Sequence, residues 1–185
     1  MDLKDILVFV DEGDSNSDRV GTALAMAQSH DARLAGVTFA RLVPQYLKVS
    51  NTKALVRFSH EAAAQRLHEF SELVERAGLT ASTRMFAGNE NRAARRLARY
   101  SRNFDLLVLR QPNPNNRNFS VFWGIAQEVL LLSGRPVYFV PYIGSRRLSG
   151  SKAMIAWDGS PSATRAVHDA LPLLRQKEDV VITVV

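Results

Sequence analysis

The sequence predicts an α/β protein: a doubly wound parallel sheet of five strands, helices on both faces, then the opening of a second unit of the same kind. Two observations carry this. Short apolar runs alternate with longer stretches whose apolar residues recur at helical spacing, which implies right-handed βαβ crossovers. The chain also repeats itself at one offset. Moving 147 positions forward from residues 6–11 lands on Ala153-Met154-Ile155-Ala156-Trp157-Asp158. Without a gap, Asp11 then meets Asp158, Ser15 meets Ser162, Val20 meets Val167, Ala23 and Leu24 meet Ala170 and Leu171, and Val37 meets Val184.

Residues 6–10 are continuously apolar, as in a strand buried on both faces. The polar loop 12–17 holds Gly13, Asp14, Ser15 and Asn16, several of which can cap a helix. Val20, Ala23, Leu24 and Ala27 then repeat at helical spacing up to His30. A second strand is expected over 34–42, with β-prone Val37 and Phe39, ended by Pro44. The longest helical pattern covers 51–77, where Ala63, Leu67, Phe70, Val74 and Ala77 form one apolar stripe. Gly78 is placed to stop it. Residues 79–87 alternate weakly and read as a third strand, and Gly88-Asn89 turns the chain into a basic helix over 91–101. Residues 104–109 are the fourth strand. Phe119, Phe122, Trp123, Ala126, Val129 and Leu130 give a helix with a heavy apolar face, closed by Ser133-Gly134. Phe122 and Trp123 read as core there rather than as rings that stack a base. Residues 136–141 are the fifth strand.

A linker over 144–150 carries Arg146, Arg147 and two serines, and divides the chain into units 1–143 and 151–185. Residues 152–157 restart the strand pattern. Asp158-Gly159-Ser160-Pro161-Ser162 opens a helix through Val167, Ala170, Leu171 and Leu174, with Pro161 suited to the first turn. Residues 180–185 begin the next strand. Two strands and a helix cannot bury their apolar faces alone, so this part is expected to dock on the first unit, a second chain or further residues.

Hydrophobic residues make up 46% of the chain, enough for a real core. There is no cysteine, which excludes a disulfide framework, thiol chemistry, zinc fingers and iron–sulfur clusters. No apolar run approaches the roughly 20 residues that cross a bilayer. The first residues lack a basic flank and a cleavage site, so a soluble cytoplasmic protein is expected. The formal charge is +6, with Arg92, Arg95, Arg96, Arg99 and Arg102 largely on one helix face. They read as a solvated face, and no basic stretch interleaved with aromatics points to nucleic acid. His30, His60, His68 and His168 read as surface histidines, without the carboxylate array that would complete a metal site. Phosphate-loop, dinucleotide and nucleophile-elbow signatures are absent, and adjacent Asp11 and Glu12 point apart on an extended chain.

Four stretches carry a family resemblance. They are Asp5-Ile6-Leu7-Val8-Phe9-Val10-Asp11, Phe104-Asp105-Leu106-Leu107-Val108-Leu109, Trp123-Gly124-Ile125-Ala126-Gln127-Glu128-Val129-Leu130 and Arg135-Pro136-Val137-Tyr138-Phe139-Val140-Pro141. The second start, Ile155-Ala156-Trp157-Asp158-Gly159-Ser160-Pro161-Ser162, is closer still. In this order they resemble the universal stress protein family in its tandem form, over essentially the whole chain. The resemblance implies a Rossmann-like fold shared with adenine nucleotide alpha hydrolases, with sheet order 3-2-1-4-5. It also implies dimers through the last strand, here 136–141, with the partial second unit adding to self-association.

Some members of that family bind ATP and others do not. In binders, the acid ending strand one faces the ribose, backbone at the end of strand two meets the adenine, and a glycine loop after strand four holds the phosphates. Carried over, Asp11 matches the ribose acid and Phe39 the adenine position, while Leu109 ends strand four. The glycine loop is not matched: Arg110-Gln111-Pro112-Asn113 stands at its first two glycines. Gly124 fits the later glycine one residue late, and Ile125 replaces the hydroxyl residue. Prolines remove amide donors, while Arg110 and Arg117 can bring charge to a phosphate. Asp158 would be the acid of the second unit. The resemblance therefore implies a non-catalytic binding and dimerisation module of the stress response with a degenerate nucleotide site and no obligatory cofactor. The alternative is an ATP-binding regulator. An adenine-nucleotide-dependent ligase or a flavoprotein on the same fold has no catalytic signature behind it.

Overall fold

In the computed structural model, which describes residues 3–13, 16–41, 52–143 and 150–185, the apolar runs become a parallel sheet of order β3-β2-β1-β4-β5. Its strands are β1 (Asp5–Phe9), β2 (Arg33–Arg41), β3 (Ala81–Gly88), β4 (Leu106–Arg110) and β5 (Val137–Val140). Helices α1 (Asn16–His30), α2 (Thr52–Arg76), α3 (Glu90–Tyr100) and α4 (Phe119–Leu132) connect them in chain order. Pro44 and residues 144–149 of the expected linker lie outside the described residues.

Alternate side chains of a strand enter opposite layers, and here both layers are dry. Ile6, Val8 and Val10 pack with Val20, Met26, Phe70 and Val74 of α1 and α2. Leu7 and Phe9 pack with Leu97, Ile125 and Val129 of α3 and α4. That is why β1 has no polar position after Asp5: Ile6, Leu7 and Val8 are fully buried, and each contributes about 1.5–3 kcal/mol by leaving water. On α2 the stripe Ala63, Leu67, Phe70 and Val74 is buried as expected. Gly78 ends the helix at φ +79°, a left-handed conformation that a Cβ disfavours. The Asn89 side chain accepts the Arg92 amide at 3.0 Å and so starts α3 at Glu90. β4 starts at Leu106 rather than at 104, because residues 101–103 form a short 3-10 turn and Phe104 packs edge-on to Tyr100.

Three expectations need correction. Trp123 is not core: it is 48% exposed and stacks on Phe119 with centroids 6.0 Å apart. Successive helix positions diverge by about 100°, so only one of two neighbours can face the sheet, and Phe122 takes that place. His30 is buried rather than at the surface. It closes α1, and its Nε2 lies 3.0 Å from Gln176 Nε2 of the second unit. Finally, the apolar run 137–140 reads from the sequence as an exposed strand, whereas β5 is an outer strand but not a bare one. Val137, Tyr138 and Phe139 are half-buried, and burial raises the Tyr138 phenol above its ordinary value.

The second unit comprises β6 (Lys152–Trp157), α5 (Pro161–Leu174) and β7 (Asp179–Val184), with β6 and β7 paired in parallel. The Ser160 side chain caps α5 by accepting the Ala163 amide at 3.0 Å, with Pro161 next. Leu173 packs on the first unit's core. Met154, Ile182 and Val184 remain exposed.

Candidate functional site

In an open parallel sheet, ligands bind beyond the carboxyl ends of the strands where the order reverses. Here that point lies between β1 and β4. A cavity of about 450 Å3 opens there. Its wall draws on Asp11, Glu12 and Gly13 after β1, Thr38 and Phe39 of β2, Arg66 of α2, Arg110 and Asn113 at the end of β4, and Asn116, Arg117 and Asn118 before α4.

The floor is rigid. Val10 N donates to Val37 O at 2.8 Å, and Thr38 Oγ1 donates to Val10 O at 2.6 Å, which ties the end of β1 to β2. Asp11 then turns the chain: its Oδ1 accepts the Gly13 amide at 2.8 Å and lies 3.0 Å from Arg19 Nη2. Arg19 is fully buried, donating through Nε to Phe9 O and through Nη2 to Asn16 Oδ1 at 2.9 Å. Burial lowers its pKa, and the Asp11 charge opposes that shift. Arg19 is therefore the counter-ion that fixes Asp11 in place.

Arg110 crosses the cavity from the other side. It is 8% exposed, lies 4.3 Å above the Phe122 ring and brings Nη1 to 3.8 Å from Asp11 Oδ2. Three buried polar atoms of Asp11 and the two arginines around it have no hydrogen-bond partner among the described residues: Asp11 Oδ2, Arg19 Nη1 and Arg110 Nε. The first accepts and the other two donate. Across the cavity, Arg66 donates through Nη2 to Phe39 O at 3.2 Å and pairs with Glu12 at 3.4 Å. The strand-two carbonyl near the expected adenine position is thus already engaged, while the Phe39 ring lies in the core against Phe9.

The loop after β4 is built on asparagines. Asn113 Oδ1 accepts the Asn115 amide at 2.9 Å, and Asn116 Oδ1 accepts the Asn118 amide at 2.8 Å. Asn113 O accepts the Asn116 amide, and Asn116 O accepts the Phe119 amide. Amides that a glycine loop turns toward phosphate are here turned inward. Gly124 and Ile125 lie inside α4, as the apolar spacing from Phe119 to Leu130 predicts, and so belong to a helix rather than to a phosphate loop. Ile125 reaches the back of the cavity as a core side chain, whereas Gly124 faces elsewhere. Leu109 is buried in the core. Asp158 does not line this cavity and serves its own loop, accepting the Ser160 amide at 2.9 Å; hydrogen bonds from the Ser160 side chain and amide lower its pKa.

Asp11, Arg110, Asn113 and Phe39 are thus brought together. Sequence reasoning missed Arg19 and Arg66. Each had a signal: a charged residue at helical spacing with an apolar stripe, Arg19 with Ala23 and Met26, Arg66 with Ala63 and Phe70. Among the described residues, no three of His, Asp and Glu gather as metal ligands, and no helix is long and apolar enough to cross a membrane.

No protein-family model and no curated protein matches the chain. Solved structures do. The universal stress protein UspA from Lactobacillus plantarum matches at 19% identity and TM-score 0.60, over 75% of this chain and 98% of that one. A universal stress protein solved in complex with cAMP matches at 22% identity and TM-score 0.51, over 77% of this chain and 100% of that one. A universal stress protein from Archaeoglobus fulgidus matches at 16% identity and TM-score 0.71, over 96% of this chain and 65% of that longer one. At these identities the likeness is one of architecture, and the architecture is that of the universal stress proteins.

Proposed function

We propose that this chain is a universal-stress-type protein of tandem organisation. Its units are 1–143 and the opening of a second at 151–185, joined by 144–150. Its first unit binds an adenine nucleotide without catalysing a reaction. One observation carries the nucleotide reading: Asp11 Oδ2 and Arg110 Nε are buried at the switch point and, among the described residues, have no hydrogen-bond partner. Leaving such groups unmade costs about 1–3 kcal/mol each. A sugar hydroxyl satisfies the first and a phosphate oxygen the second. The cAMP complex of a structural neighbour supports this choice, and the long alignment with the A. fulgidus protein supports the tandem organisation. The site is degenerate in one respect: with its amides folded onto Asn113 and Asn116, the loop has little to offer a triphosphate. The non-catalytic reading is supported by Asp11 and Glu12, which are held by Arg19 and Arg66 rather than poised to move a proton.

Calorimetric titration of the full chain with cAMP, AMP and ATP, with and without magnesium, tests this. Single-phosphate nucleotides are expected to bind, and Arg110→Ala to weaken them at least about tenfold, the worth of a charge-assisted hydrogen bond. No heat from any nucleotide overturns the reading. A second reading, an ATP-binding regulator, is favoured by Arg117 at the cavity mouth. It is supported if ATP binds more tightly than AMP and Arg117→Ala removes the difference.

We also propose that the protein self-associates through β5 and the second unit. Outer strands present unpaired backbone groups, and Met154, Ile182 and Val184 add open apolar surface. Sedimentation velocity across a dilution series is expected to show a concentration-dependent dimer; a strict monomer throughout argues against it.

A further inference from the structure

We propose that the groove between β3 and α3 is a docking surface for an extended acidic segment of a partner protein, which joins the sheet as a strand beside β3. β3 is the outer strand opposite β5. Among the described residues it pairs with β2 and with no other strand, so its second edge presents backbone N–H and C=O groups to a newcomer. Ser82, Thr83 and Arg84 are exposed along it. Beside this edge lies a groove of about 510 Å3 lined by Arg84, Met85, Phe86, Arg96, Arg99 and Tyr100.

Charge identifies the occupant. Among the described residues, no carboxylate lines the groove. Its three arginines have no ion pair among the described residues, whereas Arg95 on the same helix is tied to Glu128 at 3.3 Å. Arg84 is held over the Phe86 ring at 5.9 Å, and Arg96 Nη1 donates to Ala87 O at 3.3 Å. These contacts place both guanidinium groups at the rim of the groove. Carboxylates match guanidinium groups through paired N–H···O bonds. An added strand presents alternate side chains to one face, so Glu or Asp at every second position meets the arginine row.

Two other occupants fit less well. A second copy of β3 would bring its own Arg84 and Arg99 to the same rim, and like charges oppose pairing. Single-stranded nucleic acid binds by stacking bases on open ring faces. Here Phe86 is buried, and Tyr100 is engaged edge-on by Phe86 at 5.7 Å and by Phe104 at 5.2 Å.

The test is fluorescence anisotropy of a labelled peptide of about ten residues, alternating Glu and Val, long enough to lie along the eight-residue strand. It is titrated with the full chain beside a Lys–Val peptide and a single-stranded oligonucleotide. Amide hydrogen exchange is read on the complex. The acidic peptide is expected to bind, the Lys–Val peptide not to, and the β3 amides to slow in exchange. Arg84→Glu with Arg99→Glu is expected to weaken the acidic peptide at least about tenfold and to admit the Lys–Val peptide. Arg84→Gln with Arg99→Gln is expected to weaken the first without admitting the second. Both side chains are exposed, so the melting temperature of either variant should stay near that of the parent. Equal binding of the two peptides, unchanged β3 exchange or full affinity in the variants overturns the proposal. Tighter, arginine-dependent binding of the oligonucleotide also overturns it, in favour of nucleic acid.

Discussion

Asp11→Ala is expected to cost about 3–5 kcal/mol of folding stability, the loss that follows when a buried ion pair is broken from one side. The reason is Arg19. Its side chain is 0% exposed, and Asp11 at 3.0 Å is its one carboxylate partner among the described residues. Burial already works against the Arg19 charge, and the Asp11 charge opposes that shift. Removing Asp11 leaves a guanidinium in the core with the Phe9 carbonyl and Asn16 as its remaining partners. The Gly13 turn loses its acceptor as well. Such a loss is a large share of the 5–15 kcal/mol that typically holds a domain together. Chemical denaturation reads it as a fall in midpoint. The double variant Asp11→Asn with Arg19→Met removes both charges, and its loss should be well below the sum of the two single losses. An unchanged midpoint in Asp11→Ala would mean that Arg19 finds another anion or water, and the ion-pair account of the site floor would fail. Asp11→Asn keeps the turn acceptor but removes the charge, so it separates the ion pair's contribution from that of the Gly13 turn.

The fold was legible because burial on both faces leaves an unmistakable trace. Residues 6–10 and 106–109 are runs without a polar interruption, and α2 carries one clean apolar stripe. Asp11 was legible for a positional reason: a carboxylate that ends the first strand of such a sheet stands at the switch point. The cavity's other supports were harder to see. Arg19 and Arg66 belong to helices, where a scan for apolar periodicity passes over a charge even when it faces inward. Gly124 and Ile125 fall within the helix read from the apolar spacing that starts at Phe119, and only the family's glycine pattern ties them to a phosphate loop. The asparagines at 113 and 116 instead close the loop on itself and let α4 begin at Phe119. Trp123 and Phe122 differ by one position and lie on different faces of the same helix, one exposed and one buried. Gly36 left a signal of its own, since a glycine inside a strand pattern marks a close approach of something to the backbone.

That approach sets the second large effect. Gly36 lies mid-strand in β2, opposite Val8 of β1 and Thr83 of β3. A Cβ added there would sit 2.6 Å from both Cδ1 and Cε1 of the Phe70 ring. Neither side can yield easily. The strand is held on both edges, and Phe70 is a buried aromatic within the α2 stripe. Gly36→Ala is therefore expected to cost about 1–3 kcal/mol, the usual range for overpacking, and Gly36→Val to exceed it. Gain of strand propensity works in the opposite direction but spans only about 1 kcal/mol. Phe70→Leu alone is expected to lose stability through the space it opens. Combined with Gly36→Ala it should lose less than the two single variants together, because the new methyl occupies what the ring vacated. Strict additivity in that double-mutant cycle, measured by denaturant midpoints, would mean that α2 shifts bodily to admit the methyl. In that case the displacement should reach Arg66, one turn before Phe70, and loosen its hold on Phe39 O and Glu12. A contact deep in one layer of the sheet would then be coupled to the wall of the cavity, and nucleotide affinity in Gly36→Ala reads that coupling directly.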